Sequence, residues 1–170
     1  MHTFVLVDSM NLAFRVRYGM RAPDIETTVG LAIHTMFSSV KKVWHQFNAD
    51  HLVFGLEGRS WRKDYYKPYK AHRREAAQQR TPEEVEDDRV FFEAFDDFTQ
   101  FLQNKTNASV LRHPNGEADD MVARFIQLHP DDQHVIISTD SDFLQLLAPN
   151  VKIYNGIAGL LYTDTGVWDK

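Results

Sequence analysis

The chain has 170 residues and a mass of 19.8 kDa, enough for one domain with a real hydrophobic core. Its 43% hydrophobic and 25% charged residues exclude a disordered chain or a collagen-like fibre. No run of about 18 apolar residues occurs, so no membrane partner is expected. The absence of cysteine excludes disulfides, thiolate zinc sites and a cysteine nucleophile, and it fits a reducing, cytoplasmic compartment.

Taken in chain order, Thr3–Val7 is a short apolar run that reads as a buried strand ending at Asp8. An acid this early does not suit a signal peptide. Val29, Ile33, Met36, Phe37, Val40, Trp44 and Phe47 recur at helical spacing and predict a helix over about Glu26–Asn48. His51–Leu56 reads as a second strand. The stretch Arg59–Arg80 follows without clear periodicity. Thr81-Pro82-Glu83-Glu84 then signals a helix start: Thr as N-cap, Pro at the first helical position, Glu84 as capping-box partner. Phe91, Phe95, Phe98 and Leu102 line one face of that helix and read as core. Ala108–Arg112 is a third strand, Glu117–Leu128 a helix, His134–Ser138 the clearest strand, Asp142–Leu147 a short helix and Val151–Tyr154 another strand. Strands alternating with helices predict an α/β fold, a mostly parallel central sheet flanked by helices. Neither a Gly-x-x-x-x-Gly-Lys-Ser/Thr nor a Gly-x-Gly-x-x-Gly pattern occurs, which removes the usual support for a nucleotide cofactor. The eight histidines are scattered and form no metal-binding frame.

Charge is unevenly spread. The net charge is −5, yet Arg59–Arg80 carries eight basic residues against Asp64 and Glu75, a local +6 that leaves −11 for the rest. Trp61, Tyr65, Tyr66 and Tyr69 are interleaved with these bases. Such a mixture suits a phosphate backbone and its bases, although a solvated surface would also tolerate it. Elsewhere the predicted strands run into acids. Asp8 ends the first strand, Glu57 follows the second, and Asp140 and Asp142 follow His134–Ser138. Glu117, Asp119 and Asp120 open a helix, where a helix dipole alone would favour them. In a parallel sheet these ends share one edge, where ligand sites form. Seven carboxylates on one edge repel unless cations sit among them. With all-oxygen donors, those cations are expected to be Mg²⁺ or Mn²⁺. A carboxylate metal site beside a basic, aromatic segment points to a phosphodiesterase acting on nucleic acid.

At these residues the sequence resembles the 5′ nuclease family: phage 5′→3′ exonucleases, flap endonucleases and the 5′ nuclease domain of bacterial DNA polymerases. Four stretches carry the resemblance in family order. They are Val7-Asp8-Ser9-Met10-Asn11-Leu12-Ala13-Phe14-Arg15, Tyr66-Lys67-Pro68-Tyr69-Lys70-Ala71-His72-Arg73, Gly116-Glu117-Ala118-Asp119-Asp120-Met121 and Ile137-Ser138-Thr139-Asp140-Ser141-Asp142-Phe143. The resemblance implies a PIN-like 5′ nuclease fold, two or more divalent ions and hydrolysis of DNA at or near 5′ ends. By motif, Asp8, Glu117, Asp119, Asp120, Asp140 and Asp142 are implied as metal carboxylates. Glu57 joins them where the family usually has Asp. Lys70 and Arg73 are implied as the catalytic basic pair at the scissile phosphate. Arg15, Lys67, Tyr69, Lys70, Arg73 and Arg74 are the expected DNA contacts, and residues 59–80 the arch-like segment over single-stranded 5′ ends. The expected organisation is one 5′ nuclease catalytic domain over residues 1–170. The family's Gly-Asp…Asp loop and helix-hairpin-helix region are not in this sequence. It reads as a natural short form, half of a split enzyme or a fragment, with a second polypeptide as an expected partner besides 5′-ended or flapped DNA. Three other classes fit parts of the pattern: a PIN-like ribonuclease, a non-catalytic DNA- or partner-binding module, and a plain structural domain with solvated acids.

Overall fold

The computed structural model describes residues 1–19, 22, 24–70 and 77–169. Its centre is a seven-stranded sheet of order β3-β2-β1-β4-β5-β6-β7. The strands are β1 (Thr3–Asp8), β2 (His51–Gly55), β3 (Ser109–Leu111), β4 (Gln133–Ile137), β5 (Val151–Asn155), β6 (Leu160–Thr163) and β7 (Gly166–Asp169). From β3 through β5 every pairing is parallel, with Val5 opposite Leu52 on one side and Val135 on the other. β6 and β7 add an antiparallel hairpin at one edge. The sheet is therefore mostly parallel, as expected, but the hairpin was not anticipated. Its strands have four residues each, and those of β6 are all half-buried, so β6 shows no in–out alternation to read.

Side-chain alternation along the strands builds two apolar layers. Val5, Val7, Phe54, Val135 and Ile137 face one side, against Met36 and Val40 of α2 (Ile25–Phe47) and Phe91 and Phe95 of α4 (Pro82–Lys105). Leu6, Val53 and Ile136 face the other, against Val122 of α5 (Ala118–Leu128) and Phe143. Strands buried on both faces explain the continuous apolar runs in the sequence.

Helix α2 begins where Asp24 accepts from the Thr27 amide at 2.7 Å and ends at Asn48, which takes left-handed backbone at φ 53°. Its buried stripe is Val29, Ala32, Met36, Val40 and Val43. Phe37 and Trp44, expected in that stripe, are about 40% exposed. Helix α4 has the expected capping box, with the Glu84 amide on Thr81 Oγ1 at 3.2 Å and the Thr81 amide on Glu84 Oε2 at 2.8 Å. Phe91, Phe95, Phe98 and Leu102 are buried, as their spacing indicated.

Two helices and one change of type go beyond the sequence-based reading. α1 (Ser9–Gly19) follows β1 without a loop, and one turn, α3 (Arg62–Tyr65), lies in the basic segment. The short element after β4 is a 3₁₀ helix, Ser141–Leu146, capped by Asp140. None of the helices is long and apolar enough to cross a membrane, among the described residues.

Candidate active site

Successive crossovers run from β1 through β2 to β3 in one direction, and the chain then returns to place β4 on the far side of β1. The β1–β4 boundary is thus the topological switch point, where an open α/β sheet leaves a crevice beyond its strand ends. Asp8 ends β1 there and is buried, and Ser138, just past β4, donates from Oγ to Asp8 Oδ2 at 2.8 Å. The Asp140 amide in turn donates to Ser138 Oγ at 3.0 Å, and the Asp142 amide to Asp140 Oδ1 at 2.9 Å. Asn11, in the first turn of α1, accepts from the Thr139 hydroxyl at 2.9 Å and so ties this loop to α1. Burial pushes the Asp8 carboxyl up to about 6. The Ser138 hydrogen bond opposes this, while the negative charges of Glu57 and Asp140 add to it.

A second group of acids stands at the start of α5. One carboxylate oxygen each from Glu117, Asp119 and Asp120 lies within 4.8 Å of the others, the only such group of metal-ligating side chains among the described residues. Glu117 is buried, the two aspartates half-buried. Glu57, half-buried after β2, lies between the two groups electrostatically. Burial raises its pKa, Lys70 opposes the rise, and Glu117 and Asp119 add to it. Asp119 is likewise raised by burial, with Arg62 opposing and Asp120 adding. The structure therefore brings three of the seven predicted acids into direct proximity, couples Glu57 to Glu117 and Asp119 on one side and to Asp8 on the other, and holds Asp140 and Asp142 in the loop after β4. Asp140 and Asp142 are exposed.

The basic segment is fastened onto these acids. Gly58 packs so closely on the loop before α5 that a Cβ would lie 2.0 Å from the His113 carbonyl oxygen, so only glycine fits. Its amide donates to Gly116 O and that of Arg59 to Pro114 O, both at 2.9 Å. This seam delivers the following residues to Glu117. Ser60 Oγ donates to Glu117 Oε2 at 2.6 Å, Arg62 Nη1 to the same oxygen at 2.7 Å, and Tyr69 Oη at 3.2 Å. Lys70 Nζ meets Glu117 Oε1 at 2.5 Å. Burial works against ionisation of Glu117, but the hydrogen bonds from Lys70 and Ser60 outweigh it and hold the carboxyl at about 2. Arg62 also grips Asp120 with both Nη atoms, at 3.1 and 3.0 Å, and its own pKa rises: burial opposes its charge, and the Asp120 bonds and neighbouring acids win. Lys70 is raised in the same way, burial opposing and Glu117 prevailing.

The acids expected to need foreign cations thus have two from the chain itself, and Arg62 was not foreseen as one of them. A run of bases looks the same in sequence whether it faces phosphate or carboxylate. The roles of Ser60 and Ser138 were also not foreseen, and Trp61, expected to face nucleic acid, donates from Nε1 to Asp120 Oδ2 at 3.2 Å. Lys70 has φ 53°, a left-handed conformation unusual for a lysine and held here by its bond to Glu117. Tyr69 and Lys70 are half-buried beside the acids, Lys67 is exposed in the same segment, and Arg15 is exposed on α1. Arg73 and Arg74 lie outside the described residues.

Residues 3–170 match the family described as 5′-3′ exonuclease, N-terminal resolvase-like domain. A flap endonuclease of Escherichia phage T5 is 29% identical over 154 residues, covering 89% of this chain and 50% of that protein. The flap endonuclease Xni of Shewanella loihica is 27% identical over 159 residues, covering 91% and 56%. Among solved structures, the T5 5′-exonuclease with bound zinc superposes with a TM-score of 0.76 at 28% identity, covering 95% of this chain and 58% of that one. The T5 flap endonuclease in a pseudo-enzyme-product complex with DNA and metal ions gives 0.73 at 27%, covering 95% and 57%. The chain spans about half the length of these flap endonucleases. With the fold, the switch-point carboxylates and the match over residues 3–170 in agreement, the chain belongs to the family of 5′-3′ exonuclease N-terminal, resolvase-like domains.

Proposed function

We propose that this chain is a 5′ nuclease catalytic domain that hydrolyses phosphodiesters of DNA at or near 5′ ends, as a 5′→3′ exonuclease or flap endonuclease dependent on divalent metal. The observation that carries this reading is the basic segment seated directly on the Glu117–Asp119–Asp120 cluster, which Glu57 links electrostatically to the switch-point acid Asp8. The donors are all carboxylate oxygens, several of them half-buried, which fits Mg²⁺ or Mn²⁺ rather than a softer ion. Glu117, Asp119 and Asp120 would hold one ion, and Asp8, Glu57, Asp140 and Asp142 would complete a site for two or more, directly or through water. Such ions supply Lewis-acid stabilisation of a phosphate and lower the pKa of water.

The chain's own residues do the rest. Lys70, half-buried at the rim of the acids, places an ammonium where charge develops on the scissile phosphate. Arg73 pairs with it in this reading. Arg15, Lys67, Tyr69 and Arg74 hold the strand, with Tyr69 offering a ring face to a base. DNA with 5′ ends or flaps is the substrate, and the part of the family fold not found in residues 1–170 is supplied by further chain or a second polypeptide.

Cleavage of a 5′-flap DNA, with the RNA equivalent in parallel, tests the proposal. Cutting near the 5′ junction of DNA that needs Mg²⁺ or Mn²⁺ and stops with EDTA is expected. Cleavage confined to RNA would favour the PIN-like ribonuclease. No cleavage, even with the remaining half supplied, would leave a binding module.

A further inference from the structure

One side chain touches all three clustered acids. The Arg62 guanidinium bonds both oxygens of Asp120, bonds Glu117 Oε2 at 2.7 Å and lies 3.6 Å from Asp119 Oδ2. These are the same three carboxylates that approach one another within 4.8 Å. A divalent ion among those oxygens would meet a positive guanidinium at contact distance. The two repel, and both need the same lone pairs. Arg62 is also easy to move. It sits on α3, a single turn with no buried residue, and keeps about a quarter of its side chain exposed. The seam at Gly58 anchors the loop independently of it. A guanidinium fork that matches a carboxylate matches a phosphate equally well.

We infer that Arg62 is the resident counter-ion of the acid cluster, that divalent metal must displace it, and that the displaced guanidinium turns to the DNA phosphates. The inference rests on the metal reading proposed above. It makes Arg62 a positioning residue that couples metal entry to substrate binding: because such coupling is reciprocal, metal strengthens DNA binding through Arg62 and DNA strengthens metal binding.

Calorimetric titration of Mn²⁺ into the 170-residue chain and its Arg62→Gln and Arg62→Lys variants, without DNA, tests this. Arg62→Gln should bind Mn²⁺ more tightly, on the order of ten-fold, because a competing positive charge is gone. Its metal-free melting temperature should fall. Arg62→Lys, which keeps the charge, should stay near the unmodified chain in Mn²⁺ affinity. A residue with only a structural role would lower stability without tightening metal binding. Equal or weaker Mn²⁺ binding by folded Arg62→Gln would overturn the exchange and leave the metal site standing. No Mn²⁺ binding by any of the three would overturn the metal reading, and the exchange with it. The Arg62 Nη–H resonances of the unmodified chain during Mg²⁺ titration give a readout independent of variant folding. They should move away from their carboxylate-bonded positions; signals unchanged at metal saturation would refute displacement.

Discussion

Ser138 and Asp8 are 130 positions apart and meet at 2.8 Å, hydroxyl to carboxylate, across the β1–β4 boundary. That contact fixes a buried acid at the point where the sheet changes its direction of growth. It also fixes the Asp140 loop, since the same hydroxyl accepts from the Asp140 amide. One small side chain therefore orients both strand ends that form the crevice.

Asp8 makes stability depend on pH in a defined direction. Its pKa stands at about 6 in the folded chain against the ordinary 3.8, so the folded state prefers the protonated acid. The stability this confers is complete below about pH 3.8 and is lost as pH rises through 6. Asp8→Asn removes the ionisation and can still accept from Ser138. At pH 7, without metal, it should be more stable than the unmodified chain by on the order of 3 kcal/mol, and the gain should vanish towards pH 4. Urea denaturation across that range measures it. A gain independent of pH would show that Asp8 is not the titrating group.

Glu117 works in the opposite sense. Held at about 2, it contributes stability above its ordinary 4.5 that is lost as pH falls towards 2. Glu117→Gln should cost about 2 kcal/mol at pH 7, as Lys70 and Arg62 lose a charged acceptor. The cost should fade in acid. Amide exchange should quicken at Ser60–Lys70, because Glu117 is what fastens that segment. Unchanged exchange there would assign the fastening to the Gly58 seam alone.

Much of this arrangement was legible in the sequence. The five parallel strands announced themselves as apolar runs, three of them running into acids, and Thr81-Pro82-Glu83-Glu84 marked the start of α4 to the residue. α1 was missed because its buried face includes Arg17, whose charge is met by Asp88, 71 positions away at 2.8 Å. Its apolar pattern therefore looks broken until the partner is known. The hairpin β6–β7 was missed because both strands have only four residues and the half-buried β6 carries no period. At the site, residue types were readable and pairing was not. The acids were expected to crowd one edge, but three of them cluster within bonding reach of Arg62, and the partition depends on the Gly58 seam, a backbone contact with no side-chain signature.

Lys70 and Lys67 should separate rate from affinity. Lys70 stands at the acids with strained backbone, and Lys67 is exposed three residues away. On 5′-flap DNA in single turnover, Lys70→Ala should lower the rate by on the order of 10²-fold, the scale of one lost preorganised charge contact. Lys67→Ala should chiefly weaken binding and flatten its salt dependence. Equal losses of rate would refute the role given to Lys70.

Mn²⁺ titration followed by paramagnetic broadening of amide resonances tests the metal edge most directly. The five parallel strands place their two ends roughly 17 Å apart at about 3.3 Å per residue, so the broadening has a clear polarity. Substoichiometric Mn²⁺ should first erase the signals of Asp8, Asp119, Asp120 and Asp140 while those of His2, His51 and Asp132, at the opposite ends of the strands, persist. Broadening centred instead on the acids of α4, such as Glu86 and Asp87, or spread evenly over the chain, would contradict a metal site at the switch point.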